Sequence, residues 1–124
     1  MVINLCDLKN GLFSAIEEEI CLIRELGFFT LKVILETAYL SEEEMHKACE
    51  CAHYAGADFV KTSTGFGPSG ATAKEVAFLR RCTHATMGVK ASGGIVSKKQ
   101  ALEMIGAGAT RIGTSHGVAI MSEE

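Results

Sequence analysis

Two stretches of the chain, AGADFVKTSTG (55–65) and AGATRIGTSHG (107–117), run in step without a gap. Each opens on a small-residue turn, passes through a short β-prone run and closes on a glycine. A strand-and-turn unit met twice at a fixed interval constrains the fold more than any other feature of the sequence. The interval holds two βα units of about 25 residues each. Other apolar, β-prone runs keep the same rhythm: MVINL at 1–5, LKVIL at 31–35, FVKTS at 59–63, MGVKA at 87–91 and TRIGT at 110–114. Between them lie helical signals. Phe13, Ile16, Ile20 and Ile23 share one face of a helix over 12–26, which Gly27 ends. SEEE (41–44), TAKE (72–75) and SKKQ (97–100) are capping-box patterns, opening helices that run to about Tyr54, Cys82 and Ile105. Residues 6–11 read as a loop, and residues 115–124 as the start of a last helix. The predicted order is five strands alternating with four helices, then a helical stub. Such alternation implies an α/β fold with a parallel sheet and right-handed crossovers, one domain over residues 1–124. The fixed unit length suits a (β/α) barrel better than an irregular doubly wound sheet.

Composition narrows the function. The chain has 124 residues, 48% hydrophobic and 22% charged, enough for one core. Its net charge of −3 comes without a basic block, so nucleic acid is not an expected partner. No apolar run reaches membrane-span length, and no cationic leader precedes an apolar stretch. Five cysteines, an odd number with no CxxC, fit reduced thiols. The expectation is a soluble cytoplasmic protein.

In a parallel α/β sheet the strands' carboxyl ends gather on one face, where sites are built. There this chain places Lys61 followed by 62–65, Lys90 followed by Ser92, Gly93 and Gly94, and the run from Gly113 to Gly117. A lysine in a low-dielectric site loses part of its preference for the charged form, and a free amine is the nucleophile that forms an imine with a carbonyl. Two lysines on neighbouring strand ends each disfavour the other's charge, which activates the better buried one and leaves the second for proton transfer. The ordinary alternative is a strand lysine whose stem packs on apolar neighbours while its ammonium reaches water. Glycine-rich loops at strand ends expose backbone N–H groups that hold phosphate, although glycines also simply make βα turns. Three such loops beside two lysines point to a phosphorylated carbonyl substrate. Other candidates are weaker. His46, Cys49 and His53 share roughly one helix side, but a structural zinc wants four converging ligands; the ordinary reading buries Met45, Ala48, Cys49 and Ala52. His84 sits in a turn, and Glu36 and Tyr39 follow a strand where they could line a site.

The motifs VKTSTGFG, VKASGG and RIGTS, with LKVILET upstream and GVAI downstream, resemble the deoxyribose-phosphate aldolase family across essentially the whole chain. The resemblance implies a class I aldolase on a TIM barrel, without metal or cofactor. The expected reaction is reversible cleavage of 2-deoxyribose 5-phosphate to glyceraldehyde 3-phosphate and acetaldehyde. By that resemblance Lys61 matches the imine-forming lysine and Lys90 the second lysine that perturbs it. Gly65, Gly93, Gly94, Gly113 and Ser115 match the phosphate cradle, and Lys32 a neighbouring-strand lysine close to the site. His116 stands where many relatives carry a second serine.

The resemblance also sets an expectation about extent. The match begins at what would be the fourth of eight strands, so a partial (β/α)8 barrel, about strands 4 to 8, is expected. The family's acid/base aspartate would precede Met1. Loss of such assistance is worth roughly 10²–10⁴-fold, so a catalytically impaired fragment or a phosphate-binding remnant is the alternative reading. Bare strand edges imply self-association, although two copies of a five-stranded unit would bring ten strands, not a closed barrel of eight.

Overall fold

The computed structural model describes residues 1–123. Four strands form one parallel sheet in sequence order: β1 (Lys32–Ile34), β2 (Phe59–Lys61), β3 (Gly88–Ser92) and β4 (Arg111–Gly113). Six α-helices accompany them, α1 (Leu5–Lys9), α2 (Phe13–Arg24), α3 (Glu42–Tyr54), α4 (Ala73–Cys82), α5 (Lys98–Gly106) and α6 (Gly117–Ser122), with one 3-10 turn at Thr37–Tyr39. The β-prone runs narrow to three to five residues of ladder, because their ends turn into the loops of the site.

Period-two alternation divides each strand between two environments. Val33, Val60 and Val89 are fully buried on the helix side. They pack with Ile16 and Ile20 of α2, Ala48, Cys49 and Ala52 of α3, and Val76 and Leu79 of α4. The amphipathic faces predicted for α2 and α3 are the faces that are buried. Ser41 and Ser97 close reciprocal capping boxes with Glu44 and Gln100. Thr72 caps α4 by accepting from the Glu75 N–H, but the Glu75 carboxylate takes the Thr72 hydroxyl instead of the Thr72 N–H, so this box is half formed.

The amino-terminal expectation needs correction. Residues 1–5 do not make a fifth strand. Val2 forms an isolated parallel bridge to Ile34, with Ile34 N–H donating to the Met1 carbonyl at 2.8 Å and Ile3 N–H to the Ile34 carbonyl at 3.1 Å. Ile3 is buried as expected, but Asn4 then caps α1 by accepting from the Asp7 N–H, so Leu5 is helix where strand was predicted and residues 6–9 are helix where a loop was predicted. The local cap competes with extension of the strand and prevails.

Asp58, just ahead of β2, ties three segments together. Its Oδ2 accepts from the Leu31 N–H at 2.7 Å and from Arg24 Nη1 at 2.9 Å. The Leu31 hydrogen bond, and then the Arg24 guanidinium, hold its carboxyl below the ordinary value of 3.8. This contribution is present above the ordinary aspartate value and is lost as pH falls through the depressed one. The pair is partly exposed, so Asp58→Ala is expected to cost only about 1 kcal/mol at neutral pH, and in urea melts the gap from wild type should narrow as pH falls through the depressed value.

Among the described residues no helix is long and apolar enough to cross a membrane.

Candidate active site

The face of the sheet opposite the helices carries the chemistry. Lys32 and Ile34, Phe59 and Lys61, Gly88, Lys90 and Ser92, and Arg111 and Gly113 point to it by alternation. The register pairs Lys61 with Lys90 across β2 and β3, and Lys90 with Arg111 across β3 and β4. Neighbouring strands lie about 4.8 Å apart, so the three cations form a row across the sheet. These strands place no carboxylate on that face.

At the carboxyl ends of the strands a cavity of about 630 Å³ opens, walled by both Lys61 and Lys90. The loops after β2, β3 and β4 complete it through Gly65, Gly93, Gly94, Gly113 and Ser115. Every residue expected at the site therefore meets there except Lys32. That lysine lies one pleat repeat nearer the strands' amino ends, opposite Phe59, with its Nζ 5.8 Å from the Phe59 ring centroid. It shares the face but does not wall the cavity.

The amine that is held down is that of Lys90, the lysine expected to perturb its neighbour. Burial first, and then the positive charges of Lys61, Lys32 and Arg111, hold the Lys90 amine below its ordinary value. Gly113 has a second use besides any phosphate contact. A Cβ there would meet Lys90 Cε at 2.8 Å and Ser92 Cβ at 2.9 Å, so the missing side chain is what lets the Lys90 stem lie across β4.

The loops are fixed by hydroxyls and backbone. Thr62 Oγ1 donates to the Ser92 carbonyl and accepts from the Ser92 N–H, both at 3.1 Å, while Ser92 Oγ donates to the Ser63 carbonyl at 2.7 Å. All three residues are buried. Gly93 and Gly94 adopt φ of 90° and 73°, a region a side chain disfavours. The loop after β2 is longer than those after β3 and β4. The helix that follows Gly65 begins only at Ala73, so its N–H groups do not lie at a helix terminus.

Sequence reasoning left two contributors without roles. Arg111 lies in register with Lys90 and sits 4.9 Å from the Phe59 ring centroid; alternation along TRIGT, applied to both neighbouring strands, marks it. Glu36 was placed near the site and nothing more. It is 5% exposed, and Thr64, a wall residue of the cavity, donates both its N–H and its hydroxyl to the Glu36 carboxylate. Tyr39 is half exposed and walls a different hollow, against α1. His116 does wall the cavity, its Nδ1 3.3 Å from Ser115 Oγ. Elsewhere, His53 stacks on His84 with ring centroids 4.8 Å apart, and His46 faces Glu50 at 3.4 Å. Among the described residues no three His, Cys, Asp or Glu side chains converge as a metal set.

Comparison with known proteins identifies the family and the fold. Residues 19–122 match the family described as DeoC/LacD family aldolase. A deoxyribose-phosphate aldolase of Caldanaerobacter subterraneus subsp. tengcongensis is 52% identical over 127 residues, covering 99% of this chain and 55% of its own length. A putative deoxyribose-phosphate aldolase from Coccidioides immitis superposes with a TM-score of 0.94 at 38% identity, covering 97% of this chain and 49% of that one. A tetrameric deoxyribose phosphate aldolase from Aeropyrum pernix gives 0.83 at 37% identity over 88% of this chain and 48% of its own. The chain thus spans about half the length of the relatives it matches, and its sheet and helices correspond to part of a TIM-barrel aldolase.

Proposed function

The chain belongs to the DeoC/LacD family of aldolases, and from that premise we propose that it cleaves 2-deoxyribose 5-phosphate reversibly through an imine on Lys61. The observation that carries this reading is the in-register pair Lys61 and Lys90 on the wall of one cavity with three glycine-bearing loops. Lys61 Nζ, as the free amine, adds to the C1 aldehyde of the open-chain sugar, and loss of water gives the imine. The imine withdraws electrons, so the C2–C3 bond breaks as the C3 hydroxyl gives up its proton. Glyceraldehyde 3-phosphate leaves, and the enamine takes a proton at C2. Water then releases acetaldehyde and frees Lys61. Lys90, its amine already disfavoured as the cation, accepts and returns protons beside the reacting carbon. The backbone N–H groups around Gly65, Gly93, Gly94 and Gly113, with the Ser115 hydroxyl, hold the phosphate. Lys32 adds positive potential from below the cavity. The five free thiols suit a reducing compartment, so we place this chemistry in the cytoplasm.

A second reading has its own support. Among the described residues, no Asp or Glu walls the cavity. Imine formation or phosphate binding without fast turnover is therefore the alternative, because carboxylate assistance to proton transfer is worth roughly 10²–10⁴-fold. A coupled assay for acetaldehyde separates the two. Acetaldehyde and glyceraldehyde 3-phosphate in equal amounts support the aldolase. Substrate binding without either product favours the second reading, and neither binding nor product sinks both.

Self-association belongs to the same proposal. β4 pairs on one side only, and Val118 and Met121 of neighbouring α6 are exposed. Two copies would bring eight ladder strands, not ten, because residues 1–5 add only a bridge. Face-to-face closure is still opposed, since it would set Lys32, Lys61, Lys90 and Arg111 of each copy against the same four of the other. Association is expected through the edges. Size-exclusion chromatography with light scattering should report a mass above one chain; a sharp, compact monomer peak would count against it.

A further inference from the structure

We propose that Glu36 is a positioning residue that holds the loop from Thr64 to Phe66 as a wall of the cavity, so that it sets substrate affinity more than the chemistry at Lys61. The proposal rests on the aldolase reading of the cavity. Glu36 follows β1 and is the one non-glycine with positive φ among the described residues, at 54°. That conformation disfavours a side chain, yet it turns the carboxylate inward. Buried carboxylates need partners. Among the described residues every hydrogen bond to this carboxylate comes from Thr64: its N–H at 3.3 Å to each oxygen, and its hydroxyl. Thr64 Oγ1 in turn accepts from the Phe66 N–H at 3.1 Å. Thr64, Gly65 and Phe66 all wall the cavity, and Phe66 is otherwise fully exposed, while the loop's other ties to the body lie at its ends, at Ser63 and Ala71. Gly67 completes the fit, because a Cβ there would meet Glu36 Oε1 at 2.9 Å.

A purely structural carboxylate would spread its hydrogen bonds over the frame around it. This one directs them all to the loop three residues past Lys61. The fold itself is secured nearby without it, by Leu35 N–H on the Lys61 carbonyl and Thr37 N–H on the Thr62 carbonyl, both at 2.9 Å. Glu36 therefore acts on the loop and not on β2.

The test compares the full chain with Glu36→Ala, Thr64→Val and Thr64→Ser. Two readouts are taken: hydrogen exchange across residues 62–70, and the half-saturating 2-deoxyribose 5-phosphate in borohydride trapping. Glu36→Ala should speed exchange at Thr64 and Phe66 about tenfold or more and raise half-saturation about tenfold, with the trapping rate at saturation within about threefold of wild type. Thr64→Val, which removes only the hydroxyl side of the contact, should shift both readouts in the same direction, and Thr64→Ser should restore them. It decides the matter if Glu36→Ala does not fold. Unchanged exchange in 62–70, or a loss confined to the rate at saturation, would overturn the proposal. If wild type gives no adduct, the aldolase reading fails separately, and the exchange comparison alone decides whether Glu36 positions the loop.

Discussion

Replacing Lys61 by alanine is expected to abolish aldolase turnover, a loss of roughly 10⁴-fold or more, while leaving the melting temperature nearly unchanged. The two halves of this expectation have separate causes. Lys61 supplies the only amine of β2 that reaches the cavity, and no general acid or base can replace a missing covalent partner. The cation row lets Lys90 attack the same carbonyl only from the neighbouring strand, where its stem is committed across Gly113. Stability, by contrast, rests on the opposite face of the strand, where Val60 is fully buried. The Lys61 side chain makes no hydrogen bond among the described residues, and removing one of several like charges relieves repulsion. Acetaldehyde release within tenfold of wild type would show that another nucleophile does the work. A collapse in melting temperature would show that the side chain serves the fold.

The second large effect is expected at Gly70. A Cβ there would meet the Gly93 carbonyl oxygen at 2.1 Å and its carbon at 2.3 Å. These are backbone atoms, which cannot swing aside as a flexible side chain would. They are also held in place, because Ala71 N–H donates to the carbonyls of both Ser92 and Gly93 at 3.1 Å. Gly70→Ala must therefore separate the loop after β2 from the loop after β3. A cost of about 3 kcal/mol, or about 10 °C in melting temperature, is expected. Gly93 walls the cavity, so the survivors should also bind substrate poorly. Gly106→Ala at the end of α5 is the matched control: nothing lies within 4 Å of its added Cβ, and it should be neutral. Equal melting temperatures for the two variants would contradict the contact.

These two residues also show what a sequence can and cannot carry. The place of Lys61 on a strand beside the cavity was legible because everything that marks that place is local: a β-prone run, a buried alternation and a glycine stop. The same holds for the boxes at Ser41 and Ser97, where cap and partner are three residues apart. The amino terminus was misread although its signal was also local. Asn4 and Asp7 form a cap pattern, but the apolar character of residues 1–5 outweighed it. The contacts of Gly70, Gly113 and Glu36 had no local signal. Gly70 meets a loop on the next strand, Gly113 makes room for a lysine stem from β3, and Glu36 reaches a residue 28 positions away because β1 and β2 pair in one register. Glycines in strand-end loops are consistent with phosphate binding and with close approach alike, and only the packed strands separate those uses. Lys32 illustrates the converse. Its strand and face were legible, but its depth relative to the cavity depends on the stagger between strands.

Lys61, on the cavity wall in register with Lys90, is the amine expected to form the imine. The most direct measurement is to incubate the full chain with a low concentration of 2-deoxyribose 5-phosphate, reduce with borohydride and map the adduct by peptide mass spectrometry. One adduct, on the peptide carrying Lys61 and absent from Lys61→Ala, is the predicted result. Labelling scattered over Lys32, Lys90 and surface lysines, or no adduct at all, would contradict it.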